Sequence, residues 1–278
     1  KGNRGVYYNK EKWALCESWR TMRIRKGVYI LLVCLCLFAA GYSLVQILTQ
    51  MAQYREGEEA YTSLADQVVQ FSEPEELPVP QQEETEPVSA DPWPEVDFDT
   101  LQSINPDVIG WLYGPDTGVN YPVVQGDDNA FYLTHLYDRS ANSAGSLFLD
   151  YRAGALAGSR HWVIYGHYMN NGTMFADLLK YKEQSYYEEH PEFFLILPEG
   201  RYRVELFSGY VAEVKADAWR MSFSGEEDYQ AWLAARKSAS CFESSVQPGP
   251  EDQVLTLSTC SYEFSNARFV LHGILHKE

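Results

Sequence analysis

Two patterns of apolar residues divide the chain. From Gly27 to Leu48, GVYILLVCLCLFAAGYSLVQIL runs for 22 residues without a charge. A helix needs about 20 consecutive apolar residues to cross a bilayer, and a charge-free run of this length predicts a spanning helix rather than a soluble core helix. A cleaved signal peptide carries a shorter apolar stretch, about 7–15 residues, before a small-residue cleavage site. Here the run is longer and TQMAQYREGEE follows it, so an uncleaved anchor is expected. Residues 51–70 place Tyr54, Tyr61, Leu64 and Val68 at helical spacing. From Phe98 onward the apolar runs become short and strand-like: Val108–Tyr113, Asn120–Val124, Ser146–Leu149, His161–Tyr165, Glu192–Leu197, Tyr202–Val214, Gln253–Thr259 and Phe269–Leu275. Turn-forming clusters separate them, among them GPDTG, QGDDN, NNGT, LPEG and QPGP. Helical spacing returns only over Met174–Tyr181 and over Glu226–Ala239, the latter opened by Ser224. Without regular strand–helix alternation a doubly wound parallel sheet is not expected, and a mostly-β barrel with a few helices fits better.

Charge sharpens this division. The 278 residues carry a net −17, unevenly spread. Residues 1–26 sum to +6 and residues 49–99 to −13. Arg20, Arg23, Arg25 and Lys26 crowd the N-terminal side of the apolar run, and only Arg55 lies near the other side. The positive-inside rule therefore puts residues 1–26 in the cytoplasm, an anchor at 27–48, and the remainder outside the cell. Residues 72–97, SEPEELPVPQQEETEPVSADPWPEVD, hold six prolines, many acids and no Lys or Arg. Such a stretch buries too little apolar surface to fold, and like charges extend it, so 49–97 reads as a helix followed by an extracellular spacer. A globular domain then occupies 98–278. The acidic outer part lacks the basic surface that nucleic acid requires.

Of the five cysteines, Cys16, Cys34 and Cys36 lie before or within the apolar run, leaving Cys241 and Cys260 in the outer domain. Two cysteines are too few for a disulfide scaffold, and neither has a zinc-site spacing. Cys241 ends a helical run with no neighbouring His and reads as structural. Cys260 closes the apolar run of VLTLSTC with small polar residues beside it, where a thiol is accessible. The thiolate is the nucleophile, so a reactive Cys needs a neighbour that favours it. In HWVIYGHYMNNGTMF a strand breaks at Gly166 and presents His167 at its end, a suitable place for proton transfer. In SNARFVLHGIL, Arg268 opens the last strand eight residues after Cys260. If these two strands are antiparallel neighbours, the cation sits near the thiol and could steady a thiolate or an oxyanion. His272, on the same strand as Arg268, is the rival partner; His135, His161, His190 and His276 lack such placement. Asp127, Asp128 and Asp150 read as turn or capping residues, and Tyr186 and Tyr187 as packing.

Together these segments resemble the sortases, Gram-positive surface transpeptidases. TLSTCSYEF followed three residues later by RFVLHG matches the family's TLxTC motif and its following Arg. INPDVIGWLYGPDTGVNYPVVQGDDNAFYLTH, AGSLFLDYR and VIYGHYMNNGTMFADLLKY are similar to class B members in particular. The resemblance covers about residues 100–278 and implies an eight-stranded sortase β-barrel, with Glu226–Ala239 as the helix before the Cys-bearing strand. It implies a cysteine transpeptidase in which Cys260 attacks the Thr carbonyl of an Asn-Pro-x-Thr-Asn-like sorting signal on a surface protein. His167 would serve as acid and base, and Arg268 would stabilise the tetrahedral species. The acyl group would pass to a peptidoglycan-precursor amine. Asn129, Leu133, Tyr165, Ser258 and Thr259 would line the substrate groove. No cofactor or metal is implied. A pilin-polymerising or hydrolytic variant, and a barrel kept only for binding, are the competing expectations. A papain-like protease fits neither the all-β pattern nor a Cys so near the C-terminal end.

Overall fold

A computed structural model describes residues 7–71, 93–154 and 158–278. Most of the expected spacer thus lies outside the described residues. The chain divides into two compact units, Lys1–Ala52 and Gln53–Glu278. One helix, α1 (Tyr7–Val68), contributes to both. In the first unit, residues 28–50 are exposed along the whole helix, although the run is almost wholly apolar. This is the one helix among the described residues long and apolar enough to cross a membrane.

In the second unit α1 buries Tyr61, Leu64 and Val68. The Tyr61 hydroxyl donates to the Gly145 carbonyl at 2.6 Å, and Asn142 Nδ2 donates to the Gln53 carbonyl at 3.0 Å. The helix stops at Val68, just short of the expected Gln70. Val69–Phe71 forms β1, paired antiparallel with β2 (Pro94–Val96). The last residues of the expected spacer are therefore ordered, because Trp93 packs on Phe194, ring centroids 4.4 Å apart. Helix α2 (Phe98–Ile104) follows at once. Its cap is Asp97, whose Oδ1 accepts from the Thr100 amide at 3.0 Å, and Leu101 is fully buried beneath it.

Eight strands then close a barrel: β3 (Val108–Tyr113), β4 (Asn120–Val124), β5 (Leu147–Leu149), β6 (His161–Tyr165), β7 (Glu192–Leu197), β8 (Gly200–Glu213), β9 (Val254–Cys260) and β10 (Ala267–Lys277). Their order around the wall is β10-β8-β7-β3-β4-β5-β6-β9. Alternation along each strand fills the interior with Leu112, Val123, Leu147, Ile164, Leu195, Leu257 and Phe269. The other face is covered by α1 and α2 on one side, and by α4 (Glu226–Ser238) on another. Tyr229, Trp232 and Leu233 of α4 are buried against Phe207, Val254 and Ile274. Each such side chain contributes about 1.5–3 kcal/mol relative to an exposed one.

Two helix expectations change. Met174–Tyr181 is not an α-helix: Met174 has φ +58°, which breaks the run, and a 3-10 segment covers Ala176–Lys182. Ser224 does not cap α4, whose N-cap is Gly225. The Ser224 amide and hydroxyl instead donate to Asp228 Oδ2 at 2.8 and 2.9 Å. A further helix, Gln184–Glu189 (α3), occupies a stretch too short to show periodicity.

Candidate functional site

Strand register brings the three chemical candidates together. β9 and β10 are antiparallel, with Cys260 opposite Arg268. β6 runs parallel to β9, with Tyr165 beside Ser258, and the Gly166 amide donates to the Ser258 carbonyl at 3.1 Å. Two residues further along each chain stand His167 and Cys260, so the parallel register itself delivers the imidazole to the thiol. Gly166 is needed there: a Cβ would lie 2.4 Å from Leu147 Cδ2 and 2.6 Å from Phe175 Cδ2.

His167 Nε2 lies 2.7 Å from the Leu133 carbonyl. A carbonyl only accepts, so Nε2 carries a proton and Nδ1 is the nitrogen left for Cys260. The neighbouring Cys260 raises the His167 pKa above its ordinary value, against partial burial that lowers it; the Leu133 carbonyl adds to the rise. His167 in turn lowers the Cys260 pKa, against burial that raises it, and the Arg268 charge lowers it further. The two shifts converge toward a thiolate–imidazolium pair. Arg268 is held by Nη1 donating to the Ala267 carbonyl at 3.0 Å.

These groups open on a cleft of about 400 Å³. Asn129, Leu133, Tyr165, Ser258 and Thr259 all line it, as do Cys260, His167 and Arg268. Tyr165 is set by its hydroxyl donating to Asp150 Oδ2 at 3.0 Å. Asp150 is buried; burial raises its pKa, but hydrogen bonds from Arg152 outweigh this and hold the carboxylate below its usual range. Asn129 Oδ1 accepts from the Tyr151 amide at 3.0 Å, which leaves its amide NH₂ as the donor end. Sequence reasoning missed Phe148, Val214 and Trp219, which complete the walls. Trp219 sits in a 3-10 turn (Asp217–Trp219) before α4, and its Nε1 donates to Ser258 Oγ at 3.1 Å. An aromatic residue in the turn-like stretch KADAWR was the available signal.

The rival histidine is elsewhere. His272 is fully buried and bonded to Thr256 and Tyr210, outside the cleft lining. Cys241 Sγ lies 3.6 Å from the Tyr181 carbonyl, and burial raises its pKa. Asp128 Oδ1 accepts from the amides of Ala130 and Phe131, a turn-capping role.

Comparison with known proteins follows the same outline. The family model described as the sortase domain matches residues 112–276. The chain belongs to the sortase family. Sortase B of Listeria monocytogenes is 36% identical over 177 residues, which span 63% of this chain and 72% of that protein. The solved Staphylococcus aureus sortase B–substrate complex is 34% identical, covering 65% of this chain and 84% of its own, with a TM-score of 0.62. A sortase B complexed with triglycine matches equally, at 34% identity and TM-score 0.62, over 65% and 85%. This sortase is a cysteine transpeptidase of the B type, and its eight-stranded barrel is the sortase barrel.

Proposed function

We propose that this sortase is anchored by residues 27–48 and works outside the cell, cleaving a sorting signal of the Asn-Pro-x-Thr-Asn kind after Thr. The acyl group passes to a cell-wall amine. The layout is a cytoplasmic segment 1–26, the anchor, a helix and acidic spacer to about 97, and a catalytic domain over 98–278. The observation that carries the reading is the convergence of Cys260, His167 and Arg268 on one cleft of about 400 Å³.

The Cys260 thiolate adds to the Thr carbonyl carbon, and the carbonyl electrons move to oxygen. Arg268, opposite Cys260 in the β9–β10 pair, stabilises that oxyanion. Collapse breaks the C–N bond, and the proton on His167 Nδ1 goes to the departing amine, leaving a thioester and a neutral imidazole. An incoming amine then gives its proton back to Nδ1 as it attacks, and the thiolate is released. The Leu133 carbonyl keeps the ring oriented through both steps, so the same nitrogen serves as acid and base. Support for an amide-bearing substrate and an amine acceptor comes from the relatives solved with a substrate and with triglycine.

The test uses the full chain in detergent, wild type and Cys260→Ala, with an Asn-Pro-x-Thr-Asn/Gly peptide library and an amine. Mass spectrometry reads the products. A Thr-linked adduct on Cys260 and an amine-ligated product, both absent from the variant, are expected. Products carrying only water would make this a hydrolytic variant. No adduct and no cleavage with any peptide would remove the assigned roles of all three residues.

A further inference from the structure

A line of buried polar groups crosses four adjacent strands, β8, β10, β9 and β6. Tyr210 on β8 lies 3.2 Å from His272 Nε2 on β10. His272 Nδ1 lies 2.7 Å from Thr256 Oγ1 on β9. Thr256 Oγ1 lies 2.6 Å from His161 Nε2 on β6. His161 Nδ1 lies 2.7 Å from the Arg220 carbonyl. Both imidazoles are 1% exposed or less.

One arrangement of protons satisfies every link. The Arg220 carbonyl can only accept, so His161 Nδ1 is protonated. Burial lowers the pKa of both rings and keeps them neutral, so His161 Nε2 accepts from the Thr256 hydroxyl. Thr256 oxygen then accepts from His272 Nδ1, and His272 Nε2 accepts from the Tyr210 hydroxyl. The charged groups bearing on the rings are Asp150, which favours charge on His161, and Arg236, which opposes it on both.

Three of the four strands, β6, β9 and β10, carry or end at the reacting groups. Thr256 shares a face of β9 with Ser258 and Cys260, and His272 shares a face of β10 with Arg268. His161 stands on the same face of β6 as Tyr165, and Tyr210 lies just before Val214 at the end of β8. The line also ends on the residue after Trp219, which forms a cleft wall and donates to Ser258. We propose that Tyr210, His272, Thr256 and His161 are positioning residues for the transpeptidation. They fix the strands bearing Cys260, His167 and Arg268 relative to one another, and hold the Trp219 segment over the cleft. The inference rests on the site reading given above.

The deciding variants are Thr256→Val, which keeps the shape and deletes the hydroxyl at the centre of the line, and Thr256→Ser, which restores it. Each is assayed in the full chain in detergent. The readouts are peptide turnover with an amine acceptor, the pH midpoint of iodoacetamide labelling at Cys260, and the melting temperature. Thr256→Val is expected to lower kcat by roughly tenfold or more with little change in KM, because small misplacements of reacting groups are costly. Its labelling midpoint is expected to rise, and Thr256→Ser is expected to return both values toward wild type. A Thr256→Val protein that melts earlier but keeps wild-type kcat and labelling midpoint would overturn the inference, since the line would then be structural only. If Thr256→Val does not fold, Tyr210→Phe removes only the terminal hydroxyl; unchanged kcat and midpoint there would be equally decisive against it. A wild-type chain that forms no Cys260 adduct would overturn this inference and the site reading together, whereas an active wild type with an unaffected Thr256→Val overturns this one alone.

Discussion

At the scale of single residues, proton placement is the central matter. The Leu133 carbonyl fixes which nitrogen of His167 is left for the thiol, and each of His167 and Cys260 moves the other's pKa, the imidazole's up and the thiol's down. His167→Ala is therefore expected to raise the pH midpoint of Cys260 labelling and to cut turnover by about 10²-fold or more. An unchanged midpoint would mean that Arg268 alone maintains the thiolate. Arg268→Ala is expected to lower kcat far more than it raises KM, as loss of a transition-state contact does. A change mainly in KM would make Arg268 a substrate-positioning residue. His161 makes a separate prediction. Its folded pKa is about 4, below the ordinary His value near 6.5, so the unfolded chain binds its proton first as pH falls. Stability is thus full above pH 6.5 and declines between 6.5 and 4, by about 3 kcal/mol from this residue. Melting temperatures measured across that range should fall in the wild type and fall less in His161→Gln. A flat profile in the wild type would contradict the buried neutral ring.

At the scale of elements, short strands were legible because a short apolar run bounded by turn residues is a local signal. β3, β4, β6 and β7 begin and end where the pattern places them. The Cys260 and His167 positions were legible for the same reason: one ends and the other lies just past the end of a strand-like apolar run. What brings them together is parallel pairing between β6 and β9, a contact between segments nearly a hundred residues apart that no local pattern encodes. Trp219 and the His161–Thr256–His272 line were missed for that reason, since their partners lie on other strands, 16 to 95 residues away in sequence. The failed helix over Met174–Tyr181 was a local failure, where apolar spacing masked a left-handed Met174. Gly166 joins element to site. Its missing side chain lets the end of β6 press against Leu147 and Phe175, and His167 is the next residue. Gly166→Ala is expected to destabilise the fold by about 1–3 kcal/mol through overpacking. It should also reduce turnover in the protein that remains folded, measured as kcat against melting temperature. Full activity at a lowered melting temperature would show that the strand end adapts without moving the imidazole.

At the scale of the whole molecule, the two units differ in the surface they present. The helix through residues 28–48 exposes Leu31, Leu35, Phe38, Leu44 and Ile47, a continuous apolar surface far larger than a soluble protein keeps uncovered. Its 22-residue charge-free stretch spans about 33 Å at 1.5 Å per residue, a match for a hydrocarbon core of about 30 Å. The charges at its two ends differ in sign, +6 over residues 1–26 and −13 over residues 49–99. Only one orientation keeps the basic end on the cytoplasmic side. The cysteines provide a direct test of it, because Cys16 lies on one side of the run and Cys241 and Cys260 on the other. In intact protoplasts a membrane-impermeant maleimide is expected to label Cys241 and Cys260 and to spare Cys16 until the membrane is permeabilised. The chain should also stay in the membrane pellet after alkaline carbonate. Labelling of Cys16 alone would invert the orientation and put the cleft on the wrong side for any cell-wall acceptor. A carbonate-soluble chain labelled at all three positions would remove the anchor while leaving the chemistry at Cys260 intact.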